Sequence, residues 1–126
     1  MKLLDTPIGC NVTSLSGVWY KIGSFVFFSI DAVIGNNGTS TSININIPCL
    51  PFAPKRHVAF DVCYRQAVFK ANGSDSNVAL MAGAWGDSTN IYIGYDYDGR
   101  SWYATQKDLY SGSGSIVISG CYITSD

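Results

Sequence analysis

The sequence contains no glutamate and few of the residues that favour helices. Valine, isoleucine, threonine, serine, glycine and aromatic residues dominate instead, and these favour strands and the turns between them. A helical fold is therefore disfavoured. We expect an all-β chain, and its 126 residues suffice for one domain with its own core.

Charged residues are also scarce. They make up 13% of the chain, about half of the roughly 25% that is usual in soluble domains. The net charge is −1, and among the eight basic residues only Lys55 and Arg56 are adjacent. A nucleic-acid-binding surface needs clustered cations, so we expect no nucleic-acid partner. So few charges cannot cover a small domain, and we expect part of its apolar surface to contact another subunit.

Long apolar runs are absent as well. None reaches the roughly 18–20 residues of a transmembrane helix, because Asp31 interrupts the longest one. The apolar segment at the start of the sequence is too short for a secretory signal, and we expect no membrane insertion. Pro7, Gly9 and Gly17 predict an irregular lead-in over residues 1–17, with a short strand near residues 10–13 as an alternative within it, followed by one domain over residues 18–126.

The four cysteines are far apart, and no CxxC pair occurs. With a single histidine they cannot complete an ordinary zinc finger, so we expect no metal site and no cofactor. Each lies in or beside an apolar run, which favours buried free thiols. A disulfide between Cys10 and Cys121 is one alternative. Calcium binding by loop carboxylates is another, although their spacing matches no known loop motif: Asp75, Asp87, Asp96 and Asp98.

The apolar pattern of residues 25–34 predicts a strand that is covered on both faces. One face carries apolar residues at every second position from Val26 to Ile34, and the other carries Phe25, Phe27 and Val33. A strand of this kind packs against the core of its own domain on one side and needs a second apolar packing partner on the other. Residues 41–47 alternate isoleucine with polar residues, which predicts a sheet with one wet face. The chain must then leave the sheet, because three prolines follow within seven residues: Pro48, Pro51 and Pro54.

A second hairpin is indicated by residues 90–105. Asp98-Gly99 favours a two-residue type I′ turn, so that the numbers of paired residues sum to 197 and Tyr95 faces Trp102. This register predicts a core side with Ile91, Ile93, Tyr95 and Trp102, and an outer side with Tyr92, Gly94, Asp96, Ser101 and Tyr103. Short strands separated by glycine, asparagine and serine turns throughout the chain predict a single antiparallel β-sandwich or jelly roll. A serine- and glycine-rich loop at 111–115 leads to the last strand, residues 116–123, which we expect to seal the sheet.

Catalysis has little support in the residues. His57 is the only imidazole and no nucleophile elbow is present, so we expect no enzyme and interpret His57 as an ordinary surface residue. Asp96 and Asp98 are the candidates for a pair of catalytic carboxylates, but the predicted turn already explains Asp98. Sugar binding is better supported, because sugars suit a flat aromatic ring beside short polar side chains, although aromatic residues on strands more often belong to a core. The candidate ligand-binding residues are Trp85, Asp87, Asn90, Tyr92, Asp96, Tyr97, Arg100, Ser101 and Tyr103.

Two short motifs resemble a module of bacteriophage tail-fibre and receptor-binding proteins. That family has an aromatic-Tyr-Lys-Ile-Gly-Asn segment, two strands, and then Gly-Leu-Pro-Phe with a nearby proline. Here YKIG at 20–23 matches the first motif, with Ser24 where asparagine is usual. LPF at 50–52 and Pro54 match the second, with Cys49 in place of glycine. With the C-terminal segment IVISGCYIT, the resemblance covers under half of the chain.

The resemblance implies a β-sandwich head at the tip of a phage fibre. Such heads are usually homotrimers that bind saccharides or proteins on the bacterial surface and join other tail-fibre or baseplate proteins. It also implies a place in the virion, with assembly in the host cytoplasm, where cysteines stay reduced. Three weak sugar sites on one trimer would act through avidity. The alternative is a structural trimerisation or spacer module without a ligand, and a glycan depolymerase is a third hypothesis.

Overall fold

A computed structural model describes residues 1–35, 43–65, 79–97, 100–104 and 113–125. These residues form eight strands and no helix, which confirms the all-β prediction. Among them, no helix is long and apolar enough to cross a membrane. The strands are β1 (Asn11–Ile22), β2 (Phe25–Gly35), β3 (Asn46–Pro48), β4 (Val58–Arg65), β5 (Ala79–Ala84), β6 (Asn90–Tyr97), β7 (Arg100–Tyr103) and β8 (Ser113–Ile123).

All pairings between these strands are antiparallel, in the order β1-β2-β8-β4-β5-β6-β3, with β7 paired to β6 outside this path. The sheet is curled into a half-barrel. β4 takes part in two pairings, because Val58–Phe60 bond to β5 and Asp61–Arg65 bond to β8. An antiparallel β fold is therefore established, and the division into a sandwich or jelly roll stays a prediction.

The first strand is longer than the sequence indicated. Residues 11–17, expected as part of an irregular lead-in, belong to β1, which pairs with β2 along its whole length apart from an irregularity between Val12 and Ser14. Gly17 does not interrupt the strand. A Cβ atom there would lie 2.5 Å from the Ser29 carbonyl oxygen, so glycine permits a close approach of the two strands. Gly23, with φ of +58°, begins the two-residue turn that joins them, as expected for this hairpin.

The last strand lies inside the sheet. β8 pairs with β2 over residues 113–123 and with β4 over residues 115–119. Ser113–Ser115, expected as part of a loop, are therefore in a strand, and β8 does not seal an edge. The edge of β3 is instead covered by the start of the chain, where the Leu4 amide donates to the Pro48 carbonyl (2.7 Å) and the Ile8 amide to the Asn46 carbonyl (3.0 Å).

The inner face of the curled sheet holds one hydrophobic core. The alternation predicted for residues 25–34 is confirmed, since every second residue from Val26 to Ile34 is buried. In residues 41–47, Ile45 and Ile47 are buried as predicted, but Ile43 is 40% exposed, and among the described residues of this stretch only 46 and 47 belong to β3. Phe60 points inward while Ala59 and Asp61 are exposed. Tyr95 is buried as expected, whereas the Trp102 side chain lies outside the described part. Further core residues come from β2, β6 and β8: Val26, Phe28, Ile30, Ala32, Ile34, Ile91, Ile93, Ile116, Ile118 and Tyr122.

The segment that contains Pro51 and Pro54, directly after β3, closes one end of this core. The Tyr122 hydroxyl donates to the Phe52 carbonyl (2.7 Å), and the Thr124 hydroxyl donates to the Ala53 carbonyl (2.8 Å). The Trp19 ring packs edge-on against Phe52 at 5.3 Å, and the Lys21 ammonium lies 4.9 Å from the centre of the same ring. The two segments that carry the phage-module motifs, near residues 19–23 and 50–54, thus contact each other.

All four cysteines are free, but only two are buried. Burial raises the pKa of the Cys10 thiol to about 11 and, against a smaller opposing effect of the N-terminal charge, that of Cys49 to about 12. The expectation of four buried thiols is wrong for Cys63 and Cys121, which are exposed. They lie on the outer face of β4 and β8, because strand alternation sends their neighbours Val62 and Tyr122 toward the core.

The outer face of β1, β2 and β8 is apolar. The register aligns Ile22, Phe25 and Ile123 in one row across the three strands, and Tyr20, Phe27 and Cys121 in the next. Ile22 is 62% exposed, and Phe25 and Ile123 are each 49% exposed. We call these six residues the apolar face. The exposure of this face agrees with the expectation that the outer side of β2 packs against something other than its own core.

Candidate ligand-binding site

Four rings lie side by side on the outer surface near β5, β6 and β7. His57 stacks on Trp85 with 4.0 Å between ring centres and 16° between planes. Tyr92 lies 6.1 Å from Trp85, and Tyr103 meets Tyr92 edge-on at 5.2 Å. We call these four residues the aromatic cluster. Trp85 is 52% exposed and Tyr103 41% exposed, so the cluster presents ring surface to solvent.

Strand alternation and two glycines produce this arrangement. Ile91, Ile93 and Tyr95 point inward, which sends Tyr92 to the outer face of β6. Tyr92 pairs with Gly83 on β5 and with Asn46 on β3, and Tyr103 pairs with Gly94, so each tyrosine has a glycine opposite it on one side. A Cβ atom at Gly83 would lie 2.5 Å from the Tyr92 hydroxyl. The glycine therefore lets Tyr92 lean across β5 toward His57.

A short hydrogen bond holds the two central rings together. Nε2 of His57 and the hydroxyl of Tyr92 are 2.6 Å apart. Burial, with a smaller contribution from nearby Tyr103, raises the pKa of Tyr92. The phenol therefore keeps its proton at neutral pH, and it can donate this proton to Nε2 in the tautomer that leaves that nitrogen unprotonated. The stack and this bond together orient the rings before any ligand arrives.

The turn between β5 and β6 fixes Trp85. The Ser88 amide donates to the Trp85 carbonyl (3.2 Å), and the Asp87 amide donates to the Pro54 carbonyl (2.8 Å). Asp87 has φ of +63°, a conformation that non-glycine residues adopt at a cost and that clusters at functional sites. A Cβ atom on Gly86 would lie 3.2 Å from the Lys55 carbonyl oxygen, so the turn packs closely on the segment that precedes His57.

A cavity of about 470 Å³ adjoins the cluster. Lys55, Arg56 and His57 line part of it, and Phe25, Cys121 and Ile123 of the apolar face line another part. His57 belongs both to this cavity and to the aromatic cluster. Neither Lys55 nor Arg56 forms an ion pair within the described part of the chain, and both are exposed.

The structure brings three of the nine sequence-derived candidates together: Trp85, Tyr92 and Tyr103. Asp87 lies in the adjoining turn, and Asn90 lies on the same face of β6 as Tyr92 and pairs with Pro48. For the other four, the backbone register is as expected, with Asp96 opposite Ser101 and Tyr97 opposite Arg100. Their side chains, like the turn residues Asp98 and Gly99, lie outside the described residues.

His57 is the cluster member that the sequence reasoning missed. It is a surface residue, as expected, but its ring packs on Trp85 and bonds to Tyr92. The contact depends on the pairing of β4 with β5, in which Val58 lies opposite Ala84 and so brings His57 near Trp85. No local pattern around His57 predicts that pairing.

The described residues hold no group of three or more histidine, cysteine, aspartate or glutamate side chains placed to bind a metal ion. Comparisons with protein-family models, with curated proteins and with solved structures returned no significant match to this chain.

Proposed function

We propose that this chain is the saccharide-binding head of a bacteriophage tail fibre or baseplate, acting as a homotrimer. The observation that carries the saccharide part is the aromatic cluster, an exposed indole face stiffened by His57 and Tyr92. A pyranose packs its C–H face on such a ring and bonds its hydroxyls to polar groups at the rim. Asp87 and Asn90 flank the cluster and are the proposed rim residues.

The proposed action is binding without catalysis. Among the described residues, His57 bonds to the Tyr92 phenol and to no carboxylate, so it lacks the partners of an acid–base or nucleophilic centre. A rigid ring set held by a stack and a hydrogen bond favours recognition, because little side-chain freedom is lost when a ligand binds.

The phage assignment rests on the motif resemblance and on the contact between its two segments. The edge-on contact of Trp19 with Phe52, and the Lys21 ammonium near the same ring, give a physical reason for residues near 20 and near 52 to occur together. The proposal includes a β-sandwich arrangement, for which the change of partner along β4 is the supporting feature. It also includes location in the virion after assembly in the host cytoplasm, in keeping with four free thiols.

The test is a glycan array probed with the wild-type protein and with Trp85→Ala, followed by titration of any ligand found. We expect Trp85→Ala to weaken binding by about tenfold, which corresponds to about 1.4 kcal/mol. Trp19→Ala removes an indole that is 41% exposed outside the cluster and serves as the matched control. An array without any bound glycan, or equal binding by wild type and Trp85→Ala, contradicts the saccharide proposal.

The apolar face favours a second candidate, a structural trimerisation module of a fibre without its own ligand. Exposed Ile22, Phe25 and Ile123 in one row suit a permanent contact between subunits. Virions that carry Trp85→Ala separate the two functions. Particles that assemble but fail to adsorb support a binding head, and particles that adsorb normally support the structural module.

A further inference from the structure

The cavity beside the aromatic cluster is lined in part by two cationic side chains. Lys55 and Arg56 line it, and His57 forms the wall that it shares with the cluster. Its volume of about 470 Å³ lies within the roughly 300–1,000 Å³ that is usual for small-ligand sites. The cluster and the cavity are therefore adjacent, with His57 as the residue they share.

We propose that the saccharide bound by this chain is acidic, and that its anionic group occupies the cavity next to Lys55 and Arg56. This inference rests on the proposed saccharide-binding function and specifies the ligand's chemistry. The sugar ring packs on Trp85, and the carboxylate or phosphate on that ring or on the next one pairs with the two cations.

The charge balance around the cavity supports an anion. Lys55 and Arg56 are the only adjacent cations in the chain, and neither has an ion-pair partner among the described residues. Arginine offers paired donors that match a carboxylate or phosphate, and lysine adds a point charge. Asp87, whose amide donates to the Pro54 carbonyl next to Lys55, contributes one negative charge nearby.

The rest of the cavity wall is apolar. Phe25 and Ile123 supply part of it and also belong to the apolar face, so the cavity lies at the edge of the surface proposed to contact another subunit. An apolar wall suits the C–H face of a sugar. An acidic sugar therefore matches both halves of the cavity.

The experiment uses matched acidic and neutral ligands with the assembled protein as purified. Tetragalacturonate and its methyl ester differ only in the carboxylates, and mannose 6-phosphate and mannose differ only in the phosphate. We expect at least one acidic ligand to bind at least about tenfold more tightly than its neutral partner, and this preference to shrink as salt is raised. The arm that responds identifies carboxylate or phosphate as the preferred group.

The double variant Lys55→Gln/Arg56→Gln then locates the charge effect. It should remove the preference for the acidic ligand and leave the affinity for the neutral partner within about twofold. Lys2→Gln, at another exposed lysine, is the matched control and should change neither affinity. Circular dichroism and thermal melting check that each variant folds.

Two results overturn the inference in distinguishable ways. Equal affinity for acidic and neutral ligands, or equal loss of both in the double variant, overturns the anion site and leaves saccharide binding intact. Absence of binding to all four ligands together with an array without bound glycans overturns both the anion site and the proposed function.

Discussion

The two outer surfaces of the curled sheet differ although they cover the same core. The apolar face on β1, β2 and β8 carries mainly aliphatic and aromatic side chains, which align in two rows across the strands. The aromatic cluster near β5, β6 and β7 sets its rings over glycines and adds a hydrogen bond and nearby charges. The first surface suits permanent burial, and the second suits reversible contact with a polar ligand.

This difference supports the proposal that one sheet divides two tasks between its outer faces. The inner side chains of both regions belong to one core cluster, so stability is shared. In the proposed division, the outer side chains serve association in one region and recognition in the other. Changes on the two surfaces should therefore have separable effects.

The largest expected effect is on assembly. Phe25→Asp places a carboxylate in the middle of the apolar face, and burying it against another subunit would carry a large desolvation cost. We expect the variant to be monomeric by light scattering at concentrations where the wild type is oligomeric. Because Phe25 is half exposed in the single chain, folding should persist. Trp85→Asp should leave the oligomeric mass unchanged, and a monomeric wild type would contradict the role assigned to the apolar face.

The next effect is on the stability of the region that carries the cluster. A Cβ atom at Gly83 would lie 2.6 Å from the Val58 carbonyl oxygen as well as 2.5 Å from the Tyr92 hydroxyl. Because backbone must shift, Gly83→Val should cost about 2–3 kcal/mol in the free energy of unfolding. Gly23→Ala is the control, since a Cβ atom there meets nothing within 4 Å and only its positive φ opposes it; about 1 kcal/mol is expected. Equal losses, measured by urea unfolding, would mean that the packing under Tyr92 is looser than the structure indicates.

The next expected effect, of similar or smaller size, is a pH dependence of the free energy of unfolding caused by the two buried thiols of the shared core. Unfolded thiols ionise near pH 9.0, whereas the folded pKa values of Cys10 and Cys49 are about 11 and 12. The folded state therefore holds protons that the unfolded state releases, so this stability is present below pH 9 and is lost as the pH rises toward 11–12. The loss reaches up to about 1.4 kcal/mol per pH unit for each thiol.

Urea unfolding at pH 8 and pH 10 measures this dependence. Cys10→Ala/Cys49→Ala should be less stable at pH 8 but should lose less stability between the two values. Thiol labelling at pH 8 gives an independent reading, because Cys63 and Cys121 are exposed and should react well before the buried pair. If all four thiols react at one rate, Cys10 and Cys49 are not protected by the core.

The smallest effect concerns the charge of Asp87. Asp87→Asn keeps a side-chain acceptor and tolerates the positive φ, but it removes the negative charge near Lys55 and Arg56. We expect the affinity for an acidic ligand to rise by about two- to threefold at low salt. The affinity for the neutral partner should change by less than about twofold, because the asparagine amide oxygen keeps the acceptor that Asp87 offers at the rim. A fall for both ligands would indicate that the rim needs the charged carboxylate, and it would contradict the assigned charge effect.

Much of the inner and outer assignment could be predicted from the sequence. Alternation placed Phe28 and Ile30 inside and Phe25 and Phe27 outside, and turn chemistry at Asp98-Gly99 led to the observed pairing of Tyr95 with Trp102. The beginning of β1 was predicted poorly, because Gly17 looks like a breaker unless the close approach of β2 is known. The position of β8 was missed for a similar reason, since strand order depends on partners far away in the chain.

By itself, the sequence determined that this chain is all-β, which residues of its clearest strands face the core, and how its last hairpin pairs. Those properties depend on a period of two and on turn residues, which act locally. Only the tertiary structure decided that His57 joins Trp85 and Tyr92, and that Lys55 and Arg56 line a cavity beside them. These neighbours come from pairing between distant strands, and no local pattern of residues specifies which strands will meet.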